Sequence, residues 1–203
     1  GAVPMKNRAI LIATMAFLAV ADANASVIGV SPTTQTVALG DPVTVEIDIS
    51  GLGTNAAPSI SIFDLDLAFD PALLYSSASF GDPVLGDQLD LFVGFSDAFA
   101  TDLGGGVVNL YELSYDFPFD LDDFQADAFT IVTVNFDTLA AGTSALTLTL
   151  NTLGDAFGDP LDATLESGSV IVEPASVPEP VTSSLLAFGL LGWGMVRRRL
   201  LRP

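Results

Sequence analysis

Cysteine and histidine are both missing from the 203 residues. Without cysteine there are no disulfides, no thiolate chemistry and no zinc site of the cysteine type. Without histidine the chain lacks the side chain most used for proton transfer near neutral pH and for binding transition metals. A Ser-His-Asp triad is therefore excluded, and no Gly-x-Ser-x-Gly elbow occurs. Basic residues are scarce as well. All six, Lys6, Arg8, Arg197, Arg198, Arg199 and Arg202, lie near the two ends, so the whole span 9–196 holds no Lys or Arg. A middle of that kind repels DNA, RNA and anionic lipid headgroups, which argues against any nucleic-acid partner. Tryptophan occurs once, at Trp193, inside an apolar run. Sugar stacking would then fall to Tyr75, Tyr111, Tyr115 and the phenylalanines. Most Phe is expected in the core, and Tyr111 and Tyr115 share the parity of Val107 and Leu113, which predicts that they are packed rather than presented.

What the chain has in plenty is carboxylate. Asp and Glu number 25, for a formal net charge of −19. The plainer reading is a solvated, self-repelling surface; the sharper one is a surface that attracts divalent cations or a basic protein partner. No cofactor is required, and any metal would be a hard cation on oxygen ligands, calcium above all. The densest acidic stretch places Asp116, Asp120, Asp122, Asp123 and Asp127 among Phe117, Phe119 and Phe124, and a second runs through Asn151, Asp155, Asp159 and Asp162. Asp120, Asp122, Asp123, Asp127, Asp155, Asp159 and Asp162 are thus candidate calcium ligands, although neither stretch has EF-hand or nonapeptide-repeat spacing. Two carboxylates can hydrolyse a glycoside, but no spacing singles out a pair. The expectation is a protein that is not an enzyme.

The ends read as addresses rather than fold. Lys6 and Arg8 precede an apolar run over 9–20, and Ala23-Asn24-Ala25 supplies a small-x-small triplet. Together they predict a signal peptide over 1–25, with Ala23 and Ala25 read by signal peptidase and cleavage before Ser26. At the other end Val177-Pro178-Glu179-Pro180 leads into an apolar run over 181–196, closed by Arg197-Arg198-Arg199. A helix of that length rises about 24 Å, close enough to a hydrocarbon core of ~30 Å once arginine stems snorkel. The positive-inside rule leaves the arginines in the cytoplasm as an anchor and the acidic domain outside.

This tripartite tail resembles the PEP-CTERM sorting signal of Gram-negative bacteria, in Pro178-Glu179-Pro180, the short apolar helix and the terminal arginines. The resemblance implies that an exosortase recognises Val177, Pro178, Glu179 and Pro180, in bacteria that make exopolysaccharide. The expected course is export, inner-membrane anchoring with the domain outside, then cell surface or extracellular matrix.

Between the ends, hydrophobic residues alternate. Val43, Val45, Ile47 and Ile49 share one face; so do Phe63, Leu65, Leu67 and Phe69; so do Val132, Val134 and Phe136, and Leu146, Leu148 and Leu150. Each is the mark of a half-buried strand. Ile60 and Ile62 fall on the wrong parity, which predicts a bulge or sheet switch near Phe63. Further strands are expected over 27–30, 35–39, 73–78, 89–95, 107–114 and 164–172. Gly-Asp-Pro recurs at Gly40, Gly81 and Gly158, as turn punctuation. No long amphipathic helix appears in the middle. The sum is an all-β sandwich of about nine strands over 26–173, a Pro-rich linker over 174–180, and a transmembrane helix with its arginine cluster over 181–203.

In their order the strands resemble those of a cohesin-type domain, a jelly-roll β-sandwich related to many carbohydrate-binding modules. The matching segments are Val37 to Val45 with its Gly40-Asp41-Pro42-Val43-Thr44-Val45, then Phe63 to Leu74 with its Phe69-Asp70-Pro71 turn and Leu73, then Ala128 to Phe136 followed by Ala140-Ala141-Gly142-Thr143-Ser144. The resemblance implies a non-enzymatic binding role, as an adhesive or protein-interaction module, with polysaccharide binding as the alternative.

Overall fold

The computed structural model describes residues 26–70 and 72–175. They form two packed sheets. The strands are β1 (Ser26–Ser31), β2 (Thr34–Ala38), β3 (Val43–Ser50), β4 (Ile60–Ala68), β5 (Leu73–Phe80), β6 (Ser96–Gly104), β7 (Val107–Ser114), β8 (Ala128–Thr138), β9 (Gly142–Asp155), β10 (Ala163–Glu166) and β11 (Gly168–Glu173), with one short helix, α1 (Pro118–Phe124). One sheet runs β10-β1-β3-β8-β5 and the other β2-β11-β9-β4-β7-β6.

Alternation drives the sandwich. Val43, Val45, Ile47 and Ile49 of β3 face Phe63, Leu65 and Leu67 of β4 across a core closed by Val132, Val134, Phe136, Leu146 and Leu148, all buried. Each such aliphatic side chain contributes roughly 1.5–3 kcal/mol by leaving water. Register is fixed because a one-residue slip would turn every one of them outward. The parity fault expected near Phe63 is real: the β4–β9 register shifts between Ile60 and Ile62 and again between Asp64 and Leu65. Both ends of the described segment change sheets, and they pair in parallel. β1 pairs β10 in the first sheet and β2 pairs β11 in the second, with the Ser169 amide bonded to the Thr33 carbonyl at the crossing.

Several expectations are corrected. Eleven strands replace about nine, partly because the run expected over 164–172 breaks at Ser167 into two strands of different sheets. No strand covers 89–95: the Asp90 carboxylate accepts the amides of Gly94 and Phe95, folding that segment into a loop, and β6 starts at Ser96. The phenylalanines are not mostly core, since Phe92, Phe95, Phe99, Phe117, Phe119, Phe124 and Phe157 are all exposed. Tyr115 is exposed as well, because β7 buries the opposite parity: Val108, Leu110, Glu112 and Ser114.

The turns behave as expected. Gly40, Gly81 and Gly158 all have positive φ. At Gly81 a Cβ would also lie 2.8 Å from the Asp87 backbone, so the segment folds back only with glycine there. Asp82 then accepts the amides of Val84, Leu85 and Thr130, and those backbone bonds, that of Leu85 first, hold its carboxyl below the usual range.

Among the described residues no helix is long and apolar enough to cross a membrane. The signal segment with Ala23 and Ala25, the Pro71 turn, the motif Val177 to Pro180, the anchor helix and Arg197, Arg198 and Arg199 lie outside the described residues. Ser26, expected after the cleavage point, is the first residue of β1.

Candidate functional site

Three places gather side chains that could act on something outside the protein. The first is the outer face of β9-β4-β7-β6. Here the Asn109 amide on β7 donates to Asp64 at 2.6 Å and to Asp66 at 2.8 Å, both on β4, and Asn151 on β9 donates to Asp64 at 3.2 Å. Beside this row, Phe99 on β6 stacks on Tyr111 on β7, centroids 6.2 Å apart. An amide–carboxylate row next to a flat aromatic pair suits a polar ligand with one apolar face, whether protein or sugar.

The second is the end of the same sheet where β4 and β6 start and β7 and β9 finish. The Tyr115 amide bonds the Phe95 carbonyl, and its hydroxyl donates to Asp97 at 2.7 Å. That bond above all raises the Tyr115 hydroxyl pKa. Phe117 precedes α1, whose Pro118 sits in the first turn, where the missing N–H costs nothing. Phe119 meets Phe157 edge to face, centroids 5.9 Å apart. Leu121 alone of the helix is buried, so α1 holds its Phe side chains outward.

The third lies just beneath that end. Glu112 is 0% exposed, and no hydrogen-bond donor meets either carboxylate oxygen at bonding geometry. Burial, then Asp87 through its charge and as a partner for the protonated form, pushes its carboxyl up to about 9; Ser96 pulls weakly the other way. Asp116, also buried, is raised by the same burial and by Asp90, although it accepts the Leu91 amide at 2.8 Å. With no Lys, Arg or His in residues 26–175, no side chain of the described residues can neutralise this group.

The sequence-derived calcium ligands do not assemble. Asp122 accepts the Ser59 hydroxyl and Asp127 that of Thr54, which pins them to the turn before β4. Asp155 accepts the amides of Phe157 and Asp159, so that loop closes on itself. Asp120 is half-buried on α1, whereas Asp123, Asp159 and Asp162 are exposed. Among the described residues no three carboxylates converge where a metal ion could sit.

Sequence reasoning missed the aromatic end. Its signal was available: Phe92, Phe95, Phe117, Phe119, Phe124 and Phe157 lie in stretches rich in Asp, Gly and Pro with no sustained alternation. An apolar residue outside any periodic run has no core face to join.

No protein-family model matches the sequence, and no curated protein does. Solved structures do match. The sixth cohesin of Acetivibrio cellulolyticus scaffoldin B, solved in complex with a Cel5 dockerin mutant, is similar at TM-score 0.58 and 18% identity, over 73% of this chain and 99% of that one. A Clostridium thermocellum cohesin from a Coh-OlpA-Doc918 complex gives 0.57 and 12%, over 74% and 100%. A non-cellulosomal cohesin of the archaeon Archaeoglobus fulgidus gives 0.53 and 16%, over 73% and 91%. The chain has the cohesin fold.

Proposed function

We propose that this chain is an exported, non-enzymatic surface module that works by binding another protein. The observation that carries the reading is the outer face of β9-β4-β7-β6, where the Asn109, Asp64 and Asp66 row adjoins the Phe99–Tyr111 pair on a fold whose solved neighbours include cohesin–dockerin complexes. Hydrogen bonds already formed within the row fix its geometry before any partner arrives, which lowers the ordering cost of association. The end segments give the module its place. The signal segment exports it, signal peptidase trims it before Ser26, and an exosortase acts at Val177-Pro178-Glu179-Pro180 after the apolar helix has tethered it to the inner membrane. It then serves as an adhesive element of the cell surface or matrix.

A second reading rests on the same Phe99–Tyr111 pair. Stacked rings beside amide and carboxylate groups also suit a sugar ring, so exopolysaccharide is the alternative ligand. Export is tested by fractionating cells that make a tagged copy. Processed protein in the membrane and outer fractions is expected; a full-length, unprocessed product in the cytosol would falsify the placement. A glycan array on the same protein separates the two ligand classes, with saturable, selective binding favouring the sugar.

A further inference from the structure

The aromatic end of the sandwich is far from an ordinary surface. Phe92, Phe95, Tyr115, Phe117, Phe119 and Phe157 are each between 51% and 75% exposed. Phe95 bonds Tyr115 through the backbone, Phe117 stands two residues further along the chain at the entry to α1, and Phe119, in the first turn of that helix, touches Phe157. At ~200 Å² per ring, exposed by half to three-quarters, they offer on the order of 700 Å² of apolar surface. That is a sum over six separate side chains, of the order of the ~800 Å² each partner contributes to an interface of standard size.

The loop that presents Phe92 is strained as well. Val93 has φ +56° and is 85% exposed. A β-branched residue in that region is a genuine outlier. The two amide bonds to Asp90 and the Val93 amide bond to the Asp90 carbonyl hold it there.

We infer that this aromatic end is a docking site for a protein segment that presents apolar side chains flanked by lysine or arginine. The apolar requirement follows from the rings, nearly all Phe with no polar handle for a sugar hydroxyl. The basic requirement follows from charge: Asp90 accepts the Phe95 amide, Asp97 the Tyr115 hydroxyl and Asp155 the Phe157 amide, Asp120 follows Phe119 in the chain, and residues 26–175 hold no cation to balance them. A second copy of the chain would bring the same uncompensated carboxylates and is repelled. Anionic lipid is repelled for the same reason. The inference rests on the protein-binding reading above, and assigns it a second surface at the end of the sheet.

The test uses the full chain and a fluorescent 14-residue Leu/Lys helical peptide, with a Leu/Glu peptide of equal length as control. Micromolar binding of the Leu/Lys peptide is expected, weakening as salt rises, with no binding of Leu/Glu. Phe117→Ser with Phe119→Ser should weaken it at least tenfold at unchanged or higher melting temperature, since both rings are exposed. Leu139→Ser, at the far end of the sandwich, should leave it unchanged. Equal affinity in all three proteins would mean attraction by bulk charge alone and would overturn the site. So would flotation of the chain with phosphatidylcholine vesicles, lost in the Phe117/Phe119 variant, which would make the end a membrane contact. Binding lost instead on Phe99→Ser with Tyr111→Ser overturns the end site but leaves the protein-binding reading standing. Capture of glycans with no peptide binding overturns both.

Discussion

Glu112 is buried where its charge is penalised and its carboxylate oxygens find no partner. A glutamate carboxyl titrates near 4.5 in the unfolded chain and at about 9 here, where burial penalises its charge and Asp87 adds to the penalty. Between those values the native chain holds one proton that the unfolded chain has released. Stability therefore falls as pH rises through that window, by up to about 1.4 kcal/mol per pH unit, and levels off above pH 9. At pH 7 the loss relative to pH 4.5 approaches ~3 kcal/mol. Glu112→Gln keeps the size and removes the proton, so its urea midpoint should stay nearly flat from pH 5 to 9 while the native midpoint declines. Parallel curves for the two proteins would mean that Glu112 is charged in the folded state, against the burial argument.

At the scale of elements, Gln125 joins α1 to the sheet. Its side chain accepts from the Ile60 amide at 2.7 Å and donates to the carbonyls of Ile60 and Gln88 at 2.9 Å each. It thus stands in for a strand partner where the β4–β9 register slips. Gln125→Ala leaves both Ile60 groups buried without partners, a cost of about 2–4 kcal/mol. The Ile60 amide should then lose most of its protection from hydrogen exchange; unchanged protection would show that water replaces the side chain at no cost. The same elements show what the sequence made legible. β3, β4, β8 and the first part of β9 bury one face against the other sheet, and burial is what writes alternation into a chain. β6 left no such trace. It is an edge strand paired to β7 along its length but exposed on every residue except the half-buried Ser96 and Ala100. On β7 the pattern misled, because the richer-looking parity with Tyr111 and Tyr115 faces outward while a glutamate occupies the core side. Both errors fall beside the surfaces argued above to bind, where burial no longer chooses the residues. The Gly-Asp-Pro turns, by contrast, were legible because their chemistry is local: positive φ at each glycine and, at Asp82, the amides of Val84 and Leu85 on the carboxylate.

For the whole molecule the governing quantity is a charge with no counterpart. Of the 25 carboxylates only Asp22 and Glu179 lie outside residues 26–175, which leaves 23 within that span and no Lys, Arg or His. Within residues 26–175 no ion pair can form, and each surface carboxylate feels the others through water. Unfolding spreads those charges apart, so repulsion lowers stability in the folded state more than in the unfolded one. Added salt shortens the screening distance from about 30 Å at 10 mM to about 3 Å at 1 M and relieves that repulsion. The melting temperature should therefore climb by several degrees between 10 mM and 500 mM sodium chloride, where a protein held by surface ion pairs would be unmoved or fall. Because Asp122, Asp127 and Asp155 are tied to hydroxyls and backbone amides and no three described carboxylates gather on a common point, millimolar calcium should raise it no further than sodium chloride of equal ionic strength. Calorimetric melts across the two salt series check both statements. A clear excess for calcium would mean that ligands such as Asp120, Asp123 or Asp162 regroup around the ion, and that this acidic surface is a reservoir for cations as well as a repellent for anions.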